Sequence, residues 1–333
     1  MEGRPREVMN VLILGLGSMG KRRIRCLRTL GCGSIVGYDL REDRREEAKE
    51  KYKIEVVSNI DSIAFDKTDA IIISTPPDKH NEYIKLAIEK KKPAFVEASI
   101  ILEGLEELNN LAKKQGVFIA PSCTARFRPA IKDIKNIVTS GQYGKVTNFS
   151  YHSGQYLPDW HPWENVKDFF VSKKETGGCR EIIPLELTWI TDVIGFPESI
   201  IGFHGKTMDV GADIDDTYVI SLDFGEAYGN LIVDVTSRYA TRSLILNMER
   251  GQILWRWDEN VVKVYDAVSQ KWVHYNYPQG QTSEGYNKNI TEDMYIEETN
   301  SFINAVEGKG TFPNSLDEDI KVLKLLYKLE GEL

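Results

Sequence analysis

Gly15, Gly17 and Gly20 stand in the order G-x-G-x-x-G within Gly15-Leu16-Gly17-Ser18-Met19-Gly20, directly after the apolar run Val11-Leu12-Ile13-Leu14. A lone glycine motif is weak evidence; one that follows a buried strand and opens a helix is a dinucleotide site with a mechanism. Gly15 permits the tight turn, Gly17 lets the backbone approach a pyrophosphate, and Gly20 lets helix and strand pack closely. The helix opening at Ser18 offers its free N–H groups and partial positive charge to phosphates. Asp39 ends the second strand, where a carboxylate would hold the adenosine ribose hydroxyls and repel a 2′-phosphate. NAD is therefore favoured over NADP, a preference that the nearby Arg41 tempers. Ser74-Thr75-Pro76-Pro77 follows a later strand, and its prolines stiffen a loop at the carboxyl edge of the sheet, where such folds bind ligands. His80 is either a cofactor contact or an ordinary residue at the start of the next helix. The alternative to all of this is a glycine turn in a βαβ unit that binds nothing.

Candidate acid–base groups lie further along. Glu186 interrupts an apolar stripe formed by Ile182, Ile183, Trp189 and Ile190 on one helix. A carboxylate there loses hydration, so its pKa rises unless a cation pairs with it, and it could then exchange a hydroxyl proton near neutral pH. The competing reading is a structural ion pair with Arg180 or Arg126. Pro184 cannot sit deep in a helix, which sets the helix start near Glu181. Arg180 and Glu181 then lie at an open helix end, either facing a ligand or simply solvated. Tyr156-Leu157-Pro158-Asp159-Trp160-His161-Pro162-Trp163 is dense in aromatic side chains with polar tips, suited to stacking on sugar rings or bases. A packed loop without a ligand role is the alternative. His161 is the histidine best placed for acid–base work; His152, His204 and His274 fall in strand-like segments and read as structural.

The elements that must hold these residues come in two textures. From Asn10 to about Ala120, strand-like and helix-like segments alternate. Strands are expected at Val11–Leu14, 35–39, 70–74, 94–97 and 117–120, with helices at 18–30, 41–51, 80–90 and 102–115. That rhythm argues for a doubly wound parallel sheet, a Rossmann dinucleotide-binding domain over residues 1–122. After Pro121 come a helix over 129–140 and a helix over 181–194. Strands follow at 146–152, 199–205, 217–224, 230–235, 243–248, 253–257 and 261–265, and helices near 291–306 and 315–329 close the chain. The second domain, 123–333, is therefore an α+β unit on an open, mainly antiparallel sheet. A sheet of that kind invites self-association into a dimer or tetramer.

Composition narrows the partners. The 333 residues suffice for two cores, and a formal net charge of −8 disfavours attraction to nucleic acid or anionic membranes. No apolar run approaches the roughly 20 residues that span a bilayer, and Met1 to Glu7 lacks a signal-peptide core. Cys26, Cys32, Cys123 and Cys179 show no metal-ligand spacing, so no metal is expected, and they read as reduced thiols in a cytoplasmic protein.

Taken together, GLGSMG at 15–20, STPPDKH at 74–80, VEAS at 96–99 and ARFRP at 125–129 resemble the glucose–fructose oxidoreductase / inositol dehydrogenase / MocA (Gfo/Idh/MocA) family of sugar dehydrogenases. GQYLPDWHPWE at 154–164 and TGGCREIIPLELTWITDVIG at 176–195 look like that family's substrate loop and substrate helix. The resemblance covers nearly the whole chain. It implies NAD(P)-dependent oxidation or reduction at a carbinol carbon of a sugar, cyclitol or nucleotide sugar. It also implies a cofactor role for Glu97 and substrate contacts from Arg126, Tyr156, Asp159, Trp160, Trp163 and Arg180. Two departures stand out. The family's Glu-Lys-Pro lysine falls on Ala98 and its proline on Ser99. The substrate helix carries Ile182 at the aspartate position, and Leu185 or Glu186 at the histidine. Glu186, Glu181 or His161 would then manage the proton. The other classes to weigh are a redox-inactive dinucleotide-binding sensor or partner subunit, and an enzyme that uses tightly bound NAD for transient oxidation.

Overall fold

The computed structural model describes residues 9–160, 165–278, 280 and 290–333, so His161 and Trp163 lie outside the described residues. The chain divides into two compact units. One holds the chain through Ser122 together with Tyr295–Ile320; the other holds Cys123–Met294 with Lys321–Leu333. The 295–320 segment thus lies with the first unit, whereas the sequence places it in the second.

The first unit alternates as its sequence demands: β1 (Val11–Leu14), α1 (Ser18–Thr29), β2 (Ile35–Tyr38), α2 (Glu42–Tyr52), β3 (Glu55–Val57), β4 (Ala70–Ile73), α3 (His80–Glu89), β5 (Ala94–Val96), α4 (Leu105–Gln115) and β6 (Ile119–Pro121). All six strands are parallel, in the order β3-β2-β1-β4-β5-β6. Strands β1 and β4 are buried along their whole length, the reason they read as unbroken apolar runs. Strand β3 escaped the sequence reading because it is a three-residue edge strand whose Glu55 is exposed. Helix α4 starts at Leu105 rather than Leu102, because Gly104 takes a left-handed φ of 76° at its N-cap.

The second unit contains α5 (Pro129–Thr139), β7 (Val146–Gly154), α6 (Cys179–Ile194), β8 (Ser199–Gly205), β9 (Thr217–Asp223), β10 (Tyr228–Asp234), β11 (Thr241–Met248), β12 (Gly251–Arg256), β13 (Val261–Asp266) and β14 (Lys271–Asn276). These strands form one sheet, β14-β13-β12-β11-β7-β10-β9-β8. Every pairing is antiparallel except β7 with β10. Strand β14 was not expected: it is a mostly exposed edge strand without a buried face to imprint a pattern. Helix α6 starts at Cys179, two residues before the expected start, and carries Pro184 inside it. Pro184 has no N–H to give to the Arg180 carbonyl, so that helical bond is missing. Its own carbonyl accepts from Thr188 Oγ1 at 2.7 Å.

Alternation along the sheet sorts its two faces. Tyr151 and Ser153 of β7 point to α6, where both hydroxyls reach Glu186. The other face carries Ile201, Phe203, Val219 and Ile245, of which Phe203 is 84% and Ile201 70% exposed. Among the described residues, no helix is long and apolar enough to cross a membrane.

The chain closes with α7 (Asp293–Val306) and α8 (Leu316–Leu329). The part of α7 in the first unit supplies that unit's buried ionic centre. Arg23, wholly buried, donates from Nε to Glu97 Oε1 at 2.7 Å and from Nη2 to Glu97 Oε2 at 3.0 Å. Its Nη2 also donates to Glu298 Oε2 at 2.8 Å, and its Nη1 to Thr299 Oγ1 at 3.2 Å. Ser122 Oγ donates to Glu298 Oε1 at 3.0 Å. Burial opposes the charge on Arg23, but the coulombic pull of Glu97 and Glu298 outweighs it and holds the guanidinium pKa well above its usual value. Phe95 lies 4.4 Å from the guanidinium carbon and packs edge-on against Phe302.

Removing one member of such a cluster leaves uncompensated buried charge. Arg23→Met is expected to lower the unfolding free energy by about 3–5 kcal/mol, measured by chemical denaturation. Adding Glu97→Gln and Glu298→Gln to Arg23→Met should recover most of it. A single variant as stable as the parent would mean that the cluster is not anchoring the fold.

Candidate functional site

The glycine turn fits a dinucleotide on steric grounds. Gly15 has φ of 94°, and a Cβ there would lie 2.5 Å from the Ser74 carbonyl oxygen. A Cβ on Gly20 would overlap the Gly15 carbonyl oxygen, so α1 and β1 can pack this closely only through glycine. Gly17 is different: a Cβ there would meet only the Arg44 guanidinium, Nη1 at 3.5 Å, which leaves its backbone approachable. Ser18 and Met19 form the first turn of α1, with Gly17 as its N-cap. Asp39 is fixed by two backbone donors, Leu16 N to Oδ2 at 2.7 Å and Arg41 N to Oδ1 at 2.9 Å. The Arg41 guanidinium bonds Asp43, with Nη2 at 2.6 Å from Oδ2. Arg44 also lies beside Asp39, with Nη1 at 3.8 Å from Oδ2.

Two further loops leave the same sheet. After β4 come Ser74 to Pro77, where Pro76 and Pro77 begin a short 3-10 turn. Thr75 Oγ1 is buried without a hydrogen-bond partner among the described residues. After β5 comes Glu97, whose carboxylate is held by Arg23 and accepts from Ser74 Oγ at 3.4 Å. His80 is buried, and its Nε2 lies 2.9 Å from the Thr75 carbonyl, its Nδ1 3.3 Å from Ser99 Oγ. A carbonyl only accepts, so Nε2 carries the proton and the Ser99 hydroxyl donates to Nδ1. Burial pushes the His80 pKa down to about 4, which keeps the ring neutral.

Helix α6 separates the two candidate carboxylates. Glu186 accepts from Tyr151 Oη (2.9 Å), Ser153 Oγ (2.8 Å), Trp189 Nε1 (2.7 Å) and Arg242 Nε (2.9 Å). The expected rise in its pKa is therefore reversed: burial pushes it up, but the Arg242 charge and the donated bonds pull it below the usual carboxylate value. The ion-pair alternative describes it better, although the partner is Arg242 rather than Arg180 or Arg126. Those two are bound elsewhere. Arg180 Nε lies 3.0 Å from both Glu330 oxygens. Arg126 Nε donates to the Thr188 carbonyl at 3.1 Å, with Nη1 3.7 Å from Asp192. Glu181, on the first turn of α6, is the contrasting case. Its Oε2 is buried with no hydrogen-bond partner among the described residues, and burial alone raises its pKa to about 8.

The aromatic segment is described as far as Trp160. Leu157–Asp159 makes a 3-10 turn tied down by Leu157 N to the Val235 carbonyl at 3.0 Å. Tyr156 lies under the Arg238 guanidinium at 4.0 Å, and Trp160 Nε1 is buried without a partner among the described residues. His152 and His204 are each held by an aspartate, Asp234 at 2.6 Å and Asp215 at 2.8 Å. Arg23, Glu298 and Arg242 were missed from sequence. Each gains its role only through a partner distant along the chain, and spacing alone carries no such signal.

Comparison with known proteins agrees with this architecture. Residues 9–122 match the Gfo/Idh/MocA family model, described as an oxidoreductase family with an NAD-binding Rossmann fold. The inositol 2-dehydrogenase of Mycolicibacterium smegmatis is 26% identical over 204 residues, 58% of this chain and 59% of that protein. The inositol 2-dehydrogenase of Acidothermus cellulolyticus is 21% identical over 321 residues, 87% of this chain and 92% of that protein. Other curated relatives are matched over 40% to 51% of their length. Levoglucosan dehydrogenase, solved with NADH and levoglucosan, superposes with a TM-score of 0.82 at 16% identity, covering 97% of this chain and 96% of that one. At that identity the likeness speaks for the fold.

The two carboxylates of α6 should couple stability to pH in opposite senses. The folded pKa of Glu186 lies below its unfolded value of 4.5, so its stabilisation is complete above that pH and is lost as pH falls through the folded value. The folded pKa of Glu181, about 8, lies above 4.5, so stability declines as pH climbs from 4.5 to about 8. Denaturation across pH 4 to 9 should show Glu181→Gln gaining on the parent as pH rises, by up to a few kcal/mol. Glu186→Gln should lose about 2–4 kcal/mol at neutral pH. A Glu181→Gln variant with the parent's pH dependence would show that this carboxyl is not desolvated.

Proposed function

We propose that this chain, which belongs to the Gfo/Idh/MocA family of oxidoreductases and carries that family's NAD-binding Rossmann unit, is a dehydrogenase. It moves a hydride between NAD and a carbinol carbon of a cyclitol, sugar or nucleotide sugar. Bound NAD supplies the hydride acceptor or donor; the chain's own residues hold the substrate and manage its hydroxyl proton.

The observation that carries this reading is Glu181. Oxidation of an alcohol releases a proton from oxygen as hydride leaves carbon, and a group with a pKa near the working pH serves that transfer best. Glu181, raised to about 8 and with a buried oxygen that has no described partner, meets that requirement. Glu186, saturated by four donors, instead braces α6 and positions Tyr151 and Arg242. Tyr156, Asp159 and Trp160, with His161 and Trp163 beyond them, supply stacking faces and polar tips for a ring-shaped substrate. Arg126 and Arg180 fix α6 so that Glu181 keeps its position. Asp39, fixed by two backbone N–H groups, supports NAD over NADP. The protein works in the cytosol, where its four thiols, three of them buried, stay reduced.

With a panel of inositols, sugars and nucleotide sugars, NADH formation should appear on a subset of the panel. Glu181→Gln should lower kcat on the order of 10²- to 10⁴-fold, remove an inflection near pH 8 and leave NAD affinity unchanged. NAD binding without turnover of any panel member would point to a sensor instead.

The exposed sheet face makes the chain a homo-oligomer in this reading. Ile201 and Phe203 stand on the β8 side of the face, next to Val219. Light scattering should show a dimer or tetramer that Phe203→Lys shifts toward monomer, and a monomeric parent would sink the idea.

A further inference from the structure

The strand order assigns the two halves of a dinucleotide to opposite sides of β1. The glycine turn follows β1, and Asp39 follows β2 on one side of it; β4 and β5 lie on the other. A cofactor whose adenosine end sits at Asp39 and whose pyrophosphate sits at the glycine turn must run its nicotinamide half across the loops after β4 and β5. Those loops are Ser74–Pro77 and Glu97–Ser99. Two bridges join them. The first is Ser74 Oγ to Glu97 Oε1 at 3.4 Å, and that carboxylate is itself anchored by Arg23. The second runs through one imidazole, from the Thr75 carbonyl to His80 Nε2 (2.9 Å) and from His80 Nδ1 to Ser99 Oγ (3.3 Å). His80 and Ser99 are 2% and 4% exposed, so neither bond competes with bulk water. Thr75, held at its carbonyl, keeps a buried Oγ1 without a described partner, the kind of polar atom that a ligand hydrogen bond satisfies.

We propose that His80 and Ser99 are positioning residues for the nicotinamide half of the cofactor, setting the separation between the loops after β4 and β5. The inference rests on the chain binding NAD at the glycine turn. His80 works as a neutral strut, and its low pKa means that it stays one throughout the physiological range. It does not touch the reacting atoms; it acts through Thr75 and Ser99. Asp39, at the adenosine end, is held by Leu16 N and Arg41 N rather than by His80 or Ser99, so its two bonds do not run through this strut.

Titration calorimetry with two ligands separates positioning from general stabilisation. NADH carries both halves of the cofactor, while ADP-ribose lacks the nicotinamide. Ser99→Ala removes one hydroxyl and should weaken NADH binding about three- to tenfold, the effect of one buried hydrogen bond, with ADP-ribose binding unchanged. His80→Leu should weaken NADH further and again spare ADP-ribose, whose retained binding shows that the unit is folded. Equal weakening of both ligands would overturn the proposal in favour of a merely structural role. Unchanged NADH affinity in Ser99→Ala would overturn it as well. A parent protein that binds neither ligand would overturn the cofactor reading itself, a different failure from the other two.

Discussion

A guanidinium cannot shed its proton inside a protein, and Arg23 is buried completely. Everything around it must therefore supply negative charge and acceptors, and that requirement ties three separate stretches of chain together. Helix α1 brings the cation and the end of β5 brings Glu97. Helix α7 brings Glu298 and Thr299 from the far end of the sequence. The glycine turn at one end of α1 and the loop after β5 are thus joined through one side chain. A buried ion cluster thereby links the turn that opens α1 to the loop that leaves β5.

Helix α6 shows how little distance decides the fate of a carboxyl group. Glu181 and Glu186 lie five residues apart on one helix, yet their pKa values move in opposite directions. Desolvation acts on both. Glu186 has Arg242 and three further donors to compensate, whereas for Glu181 burial is the one cause of the shift. The environment, not the residue type or its position on an apolar stripe, separates a structural anion from a group able to exchange a proton.

That contrast marks where the sequence could be read and where it could not. The Rossmann alternation was legible because buried parallel strands write apolar runs and the glycine spacing is a steric requirement. The expected strands and helices appear within a few residues of their places. Strands β3 and β14 were not legible, since short or exposed edge strands bury no face that would leave a period. Helix α6 began earlier than Pro184 suggested, because a helix can forgo one hydrogen bond when its packing is extensive. At the site, the oddity of Glu186 was visible but its partner was not. Arg242 sits on β11, 56 residues away, and only the folded sheet brings it back. His80 read as an undecided residue because its meaning depends on Ser99, one strand over.

The first compact unit is built from two stretches separated by Cys123–Met294, the larger part of the second. On a ribosome, residues through Ser122 emerge early with the glycine turn and Asp39 already present. The Arg23 cation must then wait for Glu298, and Phe95 for Phe302, until the intervening 123–294 stretch has been made. Closing so long a loop is slow compared with forming local structure. The nascent nucleotide unit therefore leaves an incompletely neutralised arginine and an uncovered aromatic surface while that stretch is made. Neutralisation of Arg23 thus comes later in synthesis than the glycine turn that marks the unit.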